Sequence, residues 1–192
     1  MDNVSIAVLT GSDEKQKNLL DITLPVLKDY CNYNNYDLYY FTENIDNIAQ
    51  VEGKSYFARY PFIKKHLKNY KWVFWIDADC LVMNFYKKLE DYIDDKHGII
   101  LDLQLGEKYP LAASGHGFWK DDENTHYILD NIIHHAHKSS AGLADNEILN
   151  YFFNKLHKEQ KVEFEKSVKL YGPGKDRIGH YDKEIVECEI HQ

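Results

Sequence analysis

Apolar residues fall along this chain in two rhythms. Short runs rich in β-branched and aromatic residues alternate with longer stretches in which leucine, isoleucine and tyrosine recur at helical spacing. The first short run, "VSIAVLTG" at 4–11, ends on Gly11 and predicts a strand opening onto a loop. "SDEKQKNLLDITLPVLKDYCNY" at 12–33 predicts an amphipathic helix, with Ser12 or Asp13 as its cap and Pro25 as its weak point. "YDLYYFTE" at 36–43 returns to strand character. "SYFARYPFIKKHLKNY" at 55–70 alternates apolar and basic residues at helical spacing, so Pro61 must sit in a first turn or make a kink. "KWVFWID" at 71–77 is apolar on both faces, the mark of a central strand in a sheet covered on both sides.

Further along, "FYKKLEDYID" at 85–94 predicts a helix, while "HGIILDLQ" at 97–104 and "AASGHGFWK" at 112–120 predict strands. Two helical stretches follow, at about 122–138 and 143–157. Residues 158–192, with "KVEFEK", "VKLYG" and "EIVECEI", read as short strands around a Gly-rich loop. No repeat, low-complexity tract or flexible linker interrupts the pattern, so a single domain over 1–192 is the simplest organisation. The order strand, helix, strand, helix, strand by residue 77 is that of a doubly wound α/β domain, with a mostly parallel central sheet covered by helices on both faces. Such sheets bind ligands at the carboxyl ends of their strands. Thr10, Gly11 and Ser12 lie at one such end and Asp77, Ala78 and Asp79 at another, so both groups belong on one rim.

With 192 residues and 44% hydrophobic composition, the chain is long enough for one well-buried core. Its net charge of -8 argues against a general attraction to nucleic acid or to an anionic membrane, so an anionic ligand needs a local device to hold it. Cys31, Cys80 and Cys188 are odd in number and form no CxxC pair, which fits a reducing compartment and neither a disulfide framework nor a thiolate zinc site. The start, "MDNVSIAVLTG", has an acid where a signal peptide wants basic residues, and no stretch approaches the roughly 20 apolar residues of a membrane span. The expectation is a soluble cytosolic protein.

The two acids that end "KWVFWIDAD" carry the chemistry. In extended chain, residues two apart point to one side, so Asp77 and Asp79 can face one small volume. Two carboxylates so close repel unless a proton or a cation sits between them, and a hard divalent ion such as Mn²⁺ or Mg²⁺ is the natural partner. That ion would also let an acidic protein hold a diphosphate. For an isolated pair the alternative is that Asp77 caps the next turn and Asp79 is merely solvated. Here a strand continuing past its acids into the apolar "CLVMN" would set them in a cleft. His134 and His137 share a helix face, but no HExxH or second ligand cluster accompanies them, so a solvated face explains them better than zinc. The 15 tyrosines can stack on sugars or simply pack in strands.

The segment "SYFARYPFIKKHLKNYKWVFWIDADCLVMN" at 55–84 resembles the DxD region of GT-A nucleotide-sugar glycosyltransferases, most closely the fungal and plant family of α-galactosyl, α-mannosyl and xylosyltransferases. "VSIAVLTG" resembles that family's first, nucleotide-binding strand. "AASGHGFWK" stands in place of its "NTG" strand, "LADNEILNYFF" resembles its "EDQ" helix start, and "GKDRIGHYDKE" supplies a late histidine. The resemblance implies a metal-dependent enzyme of polysaccharide biosynthesis that moves a hexose or pentose from a nucleoside diphosphate sugar, UDP by analogy, to a glycan or other hydroxyl acceptor with retention. It implies Asp77, Asp79 and His180 as ligands of Mn²⁺, and a loop of Gly172, Gly174 and Lys175 over the diphosphate. Arg59 would reach the donor, and Thr10, Gly11 and Ser12 would line the nucleoside pocket beside Ala78. Asp145 and Asn146 would lie near the anomeric carbon, although Asp145 is equally placed to cap a helix. Residues 1–105 would then form the nucleotide-binding part and 106–192 the acceptor side.

The departures matter as well. Ala112, Ala113 and Ser114 replace the family's usual Asn, and His116 and Gly117 stand where bulky apolar residues are usual. The membrane anchor and longer C-terminal region of the family's eukaryotic members are missing, which suggests a bacterial or viral relative or a trimmed domain. Two other readings compete. A haloacid-dehalogenase-like phosphatase also ends a strand in DxD, but it wants Thr or Val where Leu81 stands, together with a later acidic cluster. A non-catalytic protein of the same fold would bind a nucleotide sugar or glycan without turnover.

Overall fold

The computed structural model describes residues 4–42, 48, 55–105, 110–138, 149 and 168–171. In chain order the elements are β1 (Ile6–Gly11), α1 (Lys17–Asn34), β2 (Asp37–Phe41), a 3-10 turn (Ser55–Ala58) running into α2 (Arg59–Leu67), β3 (Trp72–Ile76), β4 (Ile99–Leu105), β5 (Pro110–Lys120), α3 (Glu123–Lys138) and β6 (Val168–Tyr171). They build one sheet in the order β2-β1-β3-β5-β4-β6. β1 pairs in parallel with β2 and β3, and β4 with β6, whereas β5 runs antiparallel to both of its neighbours.

Alternation along the strands divides the core into two layers. Ala7, Leu9, Val73 and Trp75 face one side and pack with Phe57, Tyr60, Ile63 and Leu67 of the α2 region and Ile128, Leu129 and Ile132 of α3. Ile6, Val8, Trp72, Phe74 and Ile76 face the other side, against Leu27, Tyr30 and Cys31 of α1. Every residue of β3 is buried, as a strand with helices on both faces must be. Desolvation in this layer pushes the Cys31 thiol up to about 12.

Two local expectations are corrected, the start of α1 and the helix at 85–94. α1 begins at Lys17, later than Ser12 or Asp13 would set it, because the Asp13 carboxylate accepts the N–H groups of Lys15 and Gln16 (both 3.0 Å) in a turn before the helix. Pro25 is carried within α1, and the helix ends in an αL Asn35 (φ 60°) whose successor Tyr36 donates its N–H to the Cys31 carbonyl. The segment 85–94 is no helix and holds only the 3-10 turn Leu89–Asp91. Its polar groups are taken by residues near the end of α1. Tyr30 Oη donates to the Lys87 carbonyl (2.8 Å), Asn34 Nδ2 to the Phe85 carbonyl (3.0 Å), and the Leu89 N–H donates to Tyr36 Oη (2.9 Å). Those bonds compete with the i to i−4 pattern a helix would need.

Candidate active site

β3 stops at Ile76 and does not continue as strand past its acids. The Asp77 N–H donates to the Gly115 carbonyl of β5 (2.8 Å), and the Cys80 N–H closes a turn onto the Asp77 carbonyl (3.1 Å). Asp77 and Asp79 therefore flank a turn, with Ala78 at its heart. The Ala78 side chain packs on Leu20 and Leu24 of α1, and its carbonyl accepts a hydrogen bond from the buried Thr23 hydroxyl (2.7 Å). The turn is thus pinned both by β5 and by α1.

The two acids stand in different surroundings. Asp77 shares the β3 face of Trp75, two residues earlier, and its Oδ1 accepts the Trp75 indole N–H (2.7 Å). The same oxygen lies 3.2 Å from the Arg59 guanidinium. Arg59, at the start of α2, also donates to the Tyr56 carbonyl (3.1 Å) and to the Ser114 carbonyl of β5, and its guanidinium carbon lies 5.5 Å from the Trp75 ring centroid. One carboxylate oxygen is therefore fixed by two donors. Asp79, by contrast, is exposed at the mouth of the cleft.

That cleft opens on the rim at the ends of β1, β2 and β3. Its walls include Gly11, Ser12, Gln16, Phe41, Tyr56 and Trp75, with Arg59, Asp77, Ala78 and Asp79 at its β3 side. Gly11 is required by close packing, because a Cβ there would meet the Phe41 ring at 2.5 Å. Ser12 Oγ is buried in this wall with no hydrogen-bond partner among the described residues, a cost that a bound polar ligand would remove. Asp13 Oδ2 accepts the Ser55 hydroxyl (2.8 Å), tying the loop after β1 to the start of the α2 region.

Of the residues singled out from the sequence, Gly11, Ser12, Arg59, Asp77, Ala78 and Asp79 converge on this cleft. Thr10 is buried within β1 beneath it and is not part of its wall. Asp145, Asn146, Gly172, Gly174, Lys175 and His180 lie outside the described residues. Among the described residues, no three His, Cys, Asp or Glu side chains cluster as a metal site. Sequence reasoning missed Trp75, although its period-two spacing from Asp77 announces a shared face. It also missed Thr23 and the Ser114 carbonyl, which only tertiary contact identifies.

The model of the galactosyl transferase GMA12/MNN10 family matches residues 2–143. No curated protein sequence matches the chain. Among solved structures, it is similar to a glycosyltransferase involved in the glycosylation of the major capsid of PBCV-1, with TM-score 0.65 and 17% identity over 88% of this chain and 82% of that one. The glycosyltransferase GlyE of Streptococcus pneumoniae TIGR4 aligns with TM-score 0.56 and 15% identity, over 88% of this chain and 45% of that one, so the chain spans less than half of that enzyme. A Drosophila β-1,4-galactosyltransferase 7 mutant, in complex with manganese, UDP-Gal and xylobiose, aligns with TM-score 0.52 and 11% identity over 99% of this chain and 72% of that one. At such identities these likenesses speak for the fold alone. Among the described residues, no helix is long and apolar enough to cross a membrane.

Proposed function

Because this chain belongs to the galactosyl transferase GMA12/MNN10 family, it is a glycosyltransferase of GT-A fold, and we propose that it moves a hexose or pentose from a UDP-sugar to a hydroxyl of a glycan with a divalent cation at Asp77 and Asp79. The carrying observation is the cleft itself, which has exposed Asp79 at its mouth, Asp77 held at its β3 side and, in its wall, a buried Ser12 hydroxyl with no hydrogen-bond partner among the described residues. The family match favours the transferase over the phosphatase that a strand ending in DxD also allows.

The donor set suits a hard cation. Both side chains offered by the turn are carboxylates, which match the oxygen preference of Mn²⁺ and Mg²⁺. When bound, such an ion neutralises charge on the diphosphate and makes it a better leaving group. The chain's own residues do the rest. Arg59 and Trp75 hold Asp77 in one orientation, so little order is lost when a ligand arrives. Exposed Asp79 meets the incoming group, and the Ser12 hydroxyl bonds the nucleoside against the apolar wall of Phe41 and Tyr56. In this reading His180 is the third protein ligand, Gly174 and Lys175 close over the diphosphate, and residues 106–192 hold the acceptor. Asp145 and Asn146 lie beneath the transferred sugar. The acceptor oxygen bonds to the anomeric carbon as the carbon–phosphate oxygen bond breaks, and the leaving diphosphate takes the acceptor proton with retention of configuration. The manganese and UDP-Gal held by the Drosophila enzyme of like fold support the choice of ion and nucleotide.

The test is UDP release from a panel of UDP-sugars, with Mn²⁺ and with EDTA. Turnover should need the metal and should disappear in Asp79→Ala. Equal turnover in EDTA, or full activity in that variant, would remove the metal role. An NMR assay giving an inverted product would remove the roles of Asp145 and Asn146.

A further inference from the structure

Gly115 stands in the middle of β5, directly across from the first acid. The pairing of Trp75 with Gly117 and of Ile76 with His116 brings Gly115 opposite Asp77, whose N–H its carbonyl accepts (2.8 Å). Residues opposite each other in an antiparallel pair share a face. Gly115 and Gly117 therefore lie on the face of Trp75 and Asp77, toward the cleft, and His116 lies on the other. A Cβ on Gly115 would lie 3.4 Å from Asp77 Oδ2, which agrees with that placement.

Glycine in a strand interior weakens the strand, so its presence there calls for a cause. Packing supplies one for Gly11, Gly98 and Gly117, where a Cβ would meet a neighbouring atom at 2.5, 2.5 and 2.3 Å. At Gly115 only the Asp77 carboxyl comes within 4 Å among the described residues, at ordinary contact distance. Nor does the backbone require glycine. The β4 register jumps from Gly117 to Ala113 past this residue, but its φ is outside the left-handed range, so this is not a bulge that depends on glycine. Gly115 is partly exposed where Gly117 is buried, and its missing side chain leaves space beside Asp77. Close approach of a ligand is the remaining cause for a glycine at such a position.

Sheet order decides which part of a ligand would come there. The cleft wall assigned to the nucleoside is built largely on the β1 and β2 side, the acids end β3, and β5 is the next strand beyond them. With the diphosphate on Asp77 and Asp79, the group carried by its far phosphate comes over β5 on the face that Gly115 leaves bare. On the strength of that donor reading, on which the inference rests, we propose that Gly115 is a specificity-determining residue whose bare backbone makes room for the transferred sugar beside Asp77. A side chain there would press on the sugar ring and not on the protein.

Gly115→Ala and Gly115→Val test this beside Gly117→Ala, which puts the same methyl group on the same strand face into filled space. For each, the denaturation midpoint is measured, together with affinity in Mn²⁺ for UDP and for the UDP-sugar that the wild type turns over fastest. Gly115→Ala should unfold at or above the wild-type midpoint, since alanine restricts the unfolded chain and meets no obstacle in the folded one, and it should hold UDP within twofold. Its affinity for the UDP-sugar should fall about tenfold, within what an intruding methyl group costs in a packed contact, and that of Gly115→Val should fall further. Gly117→Ala should lower the midpoint. Unchanged UDP-sugar affinity in both Gly115 variants overturns the proposal. So does a loss of UDP affinity in step with that of the UDP-sugar, which would place the effect on Asp77. A midpoint lowered in Gly115→Ala as far as in Gly117→Ala overturns it too, by giving the glycine a packing cause. A wild type that binds no UDP with Mn²⁺ overturns the donor reading, and the inference with it.

Discussion

Replacing Arg59 with Met keeps most of the apolar volume of the side chain and removes its charge, which makes it a direct test of how the first acid is held. The Arg59 and Asp77 side chains are 10% and 26% exposed and lie 3.2 Å apart, so neither charge is well solvated once its partner is gone. At an effective dielectric of about 20, the pair attracts by about 5 kcal/mol, and desolvation returns much of that. The thioether would also leave the Tyr56 and Ser114 carbonyls without their guanidinium donor. Breaking a buried pair from one side costs about 3–5 kcal/mol, and the partial exposure of Asp77 sets the expectation near the lower end, about 3 kcal/mol. Chemical denaturation of wild type, Arg59→Met, Asp77→Asn and the double variant closes a thermodynamic cycle. The coupling should be about 2 kcal/mol, because Trp75 still bonds the residue at 77 in every member of the cycle. A coupling below about 0.5 kcal/mol would refute the idea that Arg59 is the anchor of Asp77.

Three further outcomes follow from the same contacts. Thr23→Val removes the only side-chain donor shown on the Ala78 carbonyl among the described residues, and should weaken Mn²⁺ binding several-fold by loosening the turn, with recovery in Thr23→Ser; equal metal affinity in Val and Ser variants would argue that the turn holds itself. Gly11→Ala drives a methyl group into the Phe41 ring and should cost about 1–3 kcal/mol in denaturant unfolding while weakening UDP binding, since Phe41 forms part of the cleft wall; a neutral result would show that the ring moves away at no cost. His66 packs against the Tyr39 and Phe62 rings, and burial, with Lys65 a smaller cause, holds its pKa below the usual 6.5. The unfolded chain then binds the proton first, so stability is full above about 6.5 and falls as pH drops from there toward the lowered folded value. His66→Gln should flatten that limb of the pH–stability curve, and an unchanged limb would assign it to other groups.

How much of this was legible in the sequence depends on what kind of contact decided each element. β3 was legible because burial on both faces writes itself as an unbroken apolar run, and its acids marked the rim. The α2 region was legible because Pro61 sits in the first turn, where a missing N–H costs nothing. Segment 85–94 was misread because its acids and lysines have helix propensity, while Tyr30, Asn34 and Tyr36, more than fifty residues earlier, take up its backbone groups. The turn at Asp77–Cys80 escaped for a similar reason. Its geometry follows from pairing with Gly115 and from Thr23, neither of which local pattern reveals. The antiparallel β5 was equally hidden, since strand direction leaves little mark on an apolar run. At the site, residue types were legible and partnerships were not. Arg59 stands where a donor-binding arginine was expected, yet its guanidinium is on Asp77 and two backbone carbonyls. His116, visible only as a departure from an apolar pattern, is set on Asp102 where the register between β4 and β5 jumps.

The central claim is that the turn at Asp77–Asp79 holds a divalent cation that carries the donor diphosphate. Crystals grown with Mn²⁺ and UDP, with diffraction recorded at the manganese absorption edge, test it most directly. The account predicts an anomalous peak beside the Asp79 carboxylate, with the diphosphate on that ion and the uridine reaching into the cleft toward Ser12. A manganese peak away from Asp79, or UDP bound outside the cleft walled by Gly11, Phe41 and Tyr56, would contradict it.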